Sequence, residues 1–360
     1  MTHDLIDLTE VDDDLLDVPR ARRTVTPVDL AEALVASLAS LAFVVILHVV
    51  FRQQSLVGAA VWWFLGFLVA YSLLVRDRSD TETAIDRVMT VVIWATGALV
   101  TAVLAWMITF LVIKGLPALR PGFFTQDLSK VGPLNPGGGA KHALIGTLEQ
   151  VGIATIIVVP IAVLTAIYLN EIKGRLALPV RFIVDAMSGL PSVVAGLLVF
   201  TVWVDGHGFS GIAGSAALVV LMLPTVTRTS EEILRTIPDP LREGGLALGA
   251  PQWRLITRVV VPTALAGLMT AVILGIARAI GETAPMLLTA FGADSTNKSP
   301  FKGPQDDLPL FIWKLIRVPN ARQNDRAWTG ALILVMLVLV LFVTARLIAN
   351  RSQRKLGRAR

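Results

Sequence analysis

Eight stretches of this chain, at about 30–51, 56–75, 89–113, 143–169, 182–204, 210–226, 262–291 and 328–348, are apolar almost throughout. An apolar helix of about 20 residues crosses the roughly 30 Å of hydrocarbon in a bilayer, whereas a barrel strand needs only about 10. Runs of this length predict an all-α polytopic membrane protein with about eight spans and exclude a β-barrel. The composition agrees. Hydrophobic residues make up 54% of the 360 and charged residues only 16%, too little charge to cover a water-soluble surface. With no cysteine, disulfides, thiolate metal sites and cysteine nucleophiles are excluded.

The distribution of Lys and Arg sets an expected orientation. With the N-terminus inside, the inner segments carry 20 basic residues and the outer segments 11, with Arg278 inside an apolar run. This bias predicts both termini in the cytoplasm, and the net charge of +5 reflects topology, with no nucleic acid implied. Residues 1–28 open with a run of Asp and Glu and lack the pattern of a signal peptide, which predicts a disordered acidic tail. Residues 29–113 form N-terminal spans flanking the core. The stretch 114–143, with four prolines and Gly137-Gly138-Gly139, is an extracytoplasmic loop. Residues 144–348 form the main transmembrane domain, and 349–360 a basic cytoplasmic tail. Ser188-Gly189-Leu190-Pro191-Ser192 should break or kink the fifth span.

Between the sixth and seventh spans lies a polar segment, 239–262. Asp239 is placed to cap a helix with Pro240 at its first position, Gly249 to end it and Pro251 to block continuation. The helix, about 240–248, would be about 13 Å long, too short to span. Leu241, Gly244, Gly245 and Leu248 fall on one side of it, with Arg242 and Glu243 elsewhere. Two readings follow: a face on which another protein docks closely, or a helix lying on lipid headgroups.

Glu243-Gly244-Gly245, then Gly249, then Val259-Val260-Val261-Pro262 resembles the EAA loop of binding-protein-dependent ABC importer permeases, with glycine for both alanines and V-V-V-P for I-x-L-P. Leu223-Pro224 through Arg228-Thr229, and Ala277-Arg278 into Gly281-Glu282-Thr283-Ala284-Pro285, resemble the PstA-type permease subunits of phosphate importers. The likeness covers about 140–348. It implies the MetI-like fold and half of a phosphate translocation pathway in a prokaryotic plasma membrane. It further implies a cytoplasmic coupling helix (Leu241, Glu243, Gly244, Gly245, Leu248, Gly249) docked on a separate ATPase. The implied partners are a second, similar permease, two ATPase subunits, an extracytoplasmic phosphate-binding protein, inorganic phosphate and membrane lipid. Other anions such as sulfate or molybdate are the alternative substrates, and an ATP-independent secondary transporter is the alternative class.

No G-x-x-x-x-G-K-[ST] occurs in the chain, so a P-loop must come from another polypeptide. The four histidines (3, 48, 142, 207) are scattered, which points to no catalytic constellation, no metal and no cofactor. Arg278 and Glu282, four residues apart, would share a helical face. One reading is a salt bridge that neutralises both groups. The other, from the resemblance, gives Arg278 and Arg228 the phosphate pathway, with Glu282 holding Arg278 in position. Guanidinium suits that task because it stays charged and offers paired donors. Arg228 also reads as a positive-inside anchor at the end of the sixth span, and Asp185, four residues after Arg181, as one member of an ion pair.

Overall fold

The protein is described by a computed structural model that covers residues 26–51 and 55–357. The acidic stretch up to residue 25 and residues 358–360 of the basic tail lie outside the described residues. Two compact units divide near Trp106.

In the first unit, α1 (Pro27–Phe51), α2 (Leu56–Arg78) and the start of α3 (Thr81–Gly115) pack through a ladder of rings. Trp63, Phe67 and Tyr71 repeat every four residues and stack with centroids 6.0 and 5.5 Å apart, because side chains at i and i+4 share a helical face. Glu32 is almost buried and is neutralised by Arg87 at 2.8 Å and Arg78 at 3.5 Å. Arg87 also holds Asp29 at 2.8 Å.

The second unit begins with the end of α3, then α4 (Pro121–Thr125) and α5 (Lys141–Ile167), which continues as a π turn, Tyr168–Ile172. After them come α6 (Ala177–Ser188), α7 (Ser192–Val199), a π turn through Val204 and α8 (Asp205–His207). The remaining elements are α9 (Gly211–Arg235), α10 (Asp239–Ala247), α11 (Gln252–Leu255), a π turn, α12 (Val261–Ile280), α13 (Ala284–Thr289), α14 (Leu308–Ile316) and α15 (Ala321–Gly357). Its packing is inverted relative to a water-soluble core. Ala154, Ala162, Ala217, Ala271 and Ala279 are buried, while Ile156, Leu164 and Phe182 point outward. Small residues let backbones approach where lipid supplies no hydrophobic drive, and large apolar residues suit the hydrocarbon.

Among the described residues seven helices are long and apolar enough to cross a membrane, and α6 with α7–α8 form a pair bent by 105°. The positions of its two ends make that pair the eighth span. At the start of α5, Thr147 Oγ1 accepts from the Leu308 N–H at 2.8 Å. At the start of α9, the Ile212 N–H donates to the Pro300 carbonyl at 2.7 Å. Both helices therefore set out from the segment 300–308. They finish together at the opposite end, where Arg242 reaches Glu171 and the Leu234 carbonyl. Two parallel neighbours need a connection that crosses back, and α6–α8 is that connection. The break falls at Gly189-Leu190-Pro191, as the sequence predicts.

The seventh span departs from expectation. The stretch 262–291 is not one helix: α12 ends at Ile280, and α13 resumes at Ala284 after Gly281-Glu282-Thr283. Gly196 lies against this second break, since a Cβ there would meet the Pro285 Cα at 2.8 Å. Two broken helices thus meet inside the unit, and irregular backbone at membrane depth is tolerated only in protein or beside a cavity.

Candidate functional site

The short helix α10 occupies 239–247, one residue earlier than predicted. Pro238 is its cap, and Asp239 is the first helical residue. The Asp239 carboxylate is taken by Arg242 at 2.9 Å, which leaves no cap for it to supply. Gly249 does end the element, at φ +76°, a left-handed conformation that glycine adopts without steric cost.

Arg242 is the hub of this region. Its guanidinium donates to both Glu171 oxygens at 2.9 and 3.1 Å, to the Ile237 carbonyl at 2.6 Å and to the Leu234 carbonyl at 2.8 Å. The hydrogen bonds to Glu171 hold it protonated even more firmly than usual, against the opposing effect of burial. One side chain therefore ties α10 to the end of α5 and to the last turn of α9.

The predicted docking face is divided. Leu241 packs inward on the cluster of Leu234, Leu255 and Val260. A Cβ on Gly245 would come within 2.5 Å of Leu255 Cδ1, so this glycine admits the chain's own α11. Gly244 has open space around it, Leu248 is 89% exposed, and Leu246 and Glu243 are exposed too. The outward surface is Glu243, Gly244, Leu246, Leu248 and Gly249. The prediction overlooked the turn of α11 behind the helix, which claims the other side.

Farther into the bundle is a cavity of about 200 Å³ lined by Ser188, Leu190, Thr225, Arg228, Thr229 and Arg278 among others. Arg278 Nη1 donates to Thr225 Oγ1 at 3.4 Å. Arg228 pairs with Asp185 of α6 and stands 3.8 Å from Glu231. It lies well inside α9, not at its end, because the helix runs on to Arg235. The polar turns stay helical by bonding internally: Thr225, Thr227 and Thr229 each donate to the carbonyl four residues back. Two guanidinium groups separated by 50 positions thus share one cavity, beside two helix breaks.

The expected Arg278–Glu282 salt bridge is absent among the described residues. The i, i+4 rule fails because α12 stops at Ile280 and Glu282 lies beyond it. Asp185 does form an ion pair, but its partner is Arg228, since Arg181 turns to Glu231 at 2.6 Å.

The pattern of the family described as "Binding-protein-dependent transport system inner membrane component" matches residues 158–358. The chain belongs to this family. Among curated relatives of this inner membrane component, the phosphate transport system permease protein PstA 1 of Mycobacterium tuberculosis is 41% identical over 258 residues, covering 70% of this chain and 84% of the relative. The PstA protein of Haemophilus influenzae is 38% identical over 247 residues, covering 68% and 86%. A solved bacterial ABC transporter involved in the import of the acidic polysaccharide alginate shares the fold, with TM-score 0.50 and 16% identity over 72% of this chain and 96% of that one.

The sequence reading assigned no structural role to two residues of this transport component. Arg242 looked like an outward charge on a short helix, and no local signal ties it to Glu171, 71 positions away. Glu231 is 1% exposed and accepts from Arg181 and from Arg235 at 2.7 Å. Its local signals are the i, i+3 spacing from Arg228 and the i, i+4 spacing to Arg235.

Proposed function

We propose that this chain is the permease subunit of an ATP-driven phosphate importer in a bacterial plasma membrane, with both termini in the cytoplasm. It forms half of the translocation pathway beside a second permease of similar fold. It receives phosphate from an extracytoplasmic binding protein and is driven by two ATPase subunits that carry the P-loops it lacks. Chemistry on ATP belongs to those partners.

The observation that carries this reading is the convergence of Arg228 and Arg278 on one cavity, together with relatives named phosphate transport system permeases. Arg278 has no carboxylate partner among the described residues, so its charge is available to an anion. Arg228 is held by Asp185 and Glu231 and lines the same cavity. A charge at membrane depth is expensive unless it faces a partner or an aqueous cavity, and here it faces the cavity. The exposed surface of α10, with Glu243, Gly244, Leu246, Leu248 and Gly249, is the coupling surface for the ATPase. Arg242 makes α10 and the ends of α5 and α9 move as one body.

The test is Arg278→Ala in the full complex. Phosphate uptake into vesicles should be abolished, while the subunits still co-purify and the binding protein still stimulates ATP hydrolysis. Retained uptake would remove Arg278 from the pathway.

A further inference from the structure

At the end of the second unit away from α10, three arginines converge where sequence spacing gives no hint of it. Arg120 follows α3, and Arg322 and Arg326 open α15. All three line a cavity of about 220 Å³ with Phe123, Gly138 and Asp325. Each guanidinium is oriented by a carbonyl of the Pro/Gly-rich loop. Arg120 donates to Gly138 at 3.1 Å, Arg326 to Asn135 at 2.5 Å, and Arg322 to Leu134.

Carbonyl oxygens orient a guanidinium but do not neutralise it. Asp325 is the one carboxylate that lines the cavity, and none of the three arginines forms an ion pair among the described residues. Arg326 is 5% exposed, and Arg120 and Arg322 are close enough to repel its charge. A buried cation is normally paired. This one instead has two like neighbours and no ion-pair partner among the described residues, with Asp325 the one acid on the same wall.

We infer that this cluster binds a tetrahedral phosphate-type oxyanion, either free inorganic phosphate or the headgroup phosphate of an anionic phospholipid. Three planar forks around one cavity match an acceptor with several oxygens, which guanidinium engages in pairs. A cavity of about 220 Å³ leaves room for such an anion with part of its hydration. The Arg228–Arg278 cavity is a separate place, and this site stands whether or not that cavity conducts phosphate.

The experiment uses the full chain carrying Arg278→Ala, so that the inner cavity contributes less, in nanodiscs of phosphatidylcholine alone or with phosphatidylglycerol. The thermal unfolding midpoint is followed against inorganic phosphate, with sodium chloride at matched ionic strength as control. A saturable rise with phosphate in phosphatidylcholine discs that needs at least tenfold more phosphate after R120Q/R322Q supports a free-ion site. A rise seen only with phosphatidylglycerol, and abolished by the same double variant, supports a headgroup site. Arg120 and Arg322 are exposed at the rim, so this variant should fold; R326Q, at the base, should abolish either response. No response to either ligand, or one unchanged in R120Q/R322Q, overturns the inference. So does stabilisation by the soluble binding protein alone, which would make the cluster a contact for an acidic protein surface.

Discussion

Replacing Arg242 by glutamine tests whether α10 is fixed to the bundle. The wild-type side chain bonds Glu171 through two nitrogens, Asp239 at 2.9 Å, and the carbonyls of Ile237 and Leu234. These bonds are not equal in worth. The Asp239 side chain is 83% exposed, and such a pair contributes about 0–1 kcal/mol. Glu171 is different: its side chain is 6% exposed against 18% for Arg242, and breaking a buried pair from one side costs about 3–5 kcal/mol. Some water can reach Glu171 once the arginine has gone, so a cost of about 3 kcal/mol is the working figure. At 1.4 kcal/mol per factor of ten, that is about a hundredfold.

Hydrogen exchange reads this directly. Backbone amides of 240–248 in R242Q should exchange about a hundredfold faster, while those in the middle of α5 and α9 stay protected. The companion variant Glu171→Gln should loosen α10 as well, and the double variant should fall well short of the sum of the two singles. Unchanged exchange over α10, or additive effects, would refute the idea that this pair fastens the lever. In the assembled transporter R242Q should hydrolyse ATP with reduced phosphate uptake per ATP.

Three further outcomes follow from the same geometry. Gly244→Trp should leave the chain folded, because nothing lies within 4 Å of its Cβ position, yet abolish co-purification of the ATPase. Gly245→Val should instead disturb the chain itself by colliding with Leu255, and Leu255→Ala should restore ATPase binding in that background. Asp307 caps α14 through the Leu310 N–H at 2.7 Å. Burial, then the neighbouring Asp306 charge, push its carboxyl up to about 8. A carboxyl raised in the folded state binds its proton more tightly there, so its contribution is full below about pH 4 and is lost as pH rises toward 8. Thermal midpoints should fall over that window, and Asp307→Asn, which keeps the cap, should flatten the fall.

Hydrophobic run length alone located the spans, since their number and rough limits follow from a period-free property that needs no partner. Helix ends were less legible. Val226 marks where apolarity stops, but α9 continues to Arg235 because its threonines bond backward and its charges pair with other helices. The break after Ile280 was hidden for another reason: Gly281-Glu282-Thr283 interrupts a longer apolar run only briefly, and neither the glycine nor the i, i+4 spacing of Arg278 and Glu282 reveals how the chain turns there. Of the site, Arg278 stood out because charge in an apolar run is costly wherever it points, and Arg228, just past the end of one, through the family resemblance. The partners of each remained out of reach. Spacing suggested Arg278 with Glu282 and Arg181 with Asp185, but the pairs that form join different helices.

Those cross-helix pairs also bear on how movement at α10 would reach the cavity. Arg242 grips the last turn of α9 at Leu234. Three residues earlier on the same helix, Glu231 holds Arg181 of α6 and Arg235, and Arg228, one turn further, holds Asp185 of α6. A displacement of α10 therefore cannot move α9 alone without separating a nearly buried carboxylate from its arginines. The cheaper motion carries α6 and α9 together, and with them the break at Gly189-Leu190-Pro191 that walls the cavity. If this is the working stroke, Glu231→Gln should leave α10 docked on the ATPase but reduce phosphate transported per ATP. Its effect should be strongly non-additive with Asp185→Asn, since both cut the same connection between α6 and α9. Independent effects of the two would mean that α6 and α9 move separately.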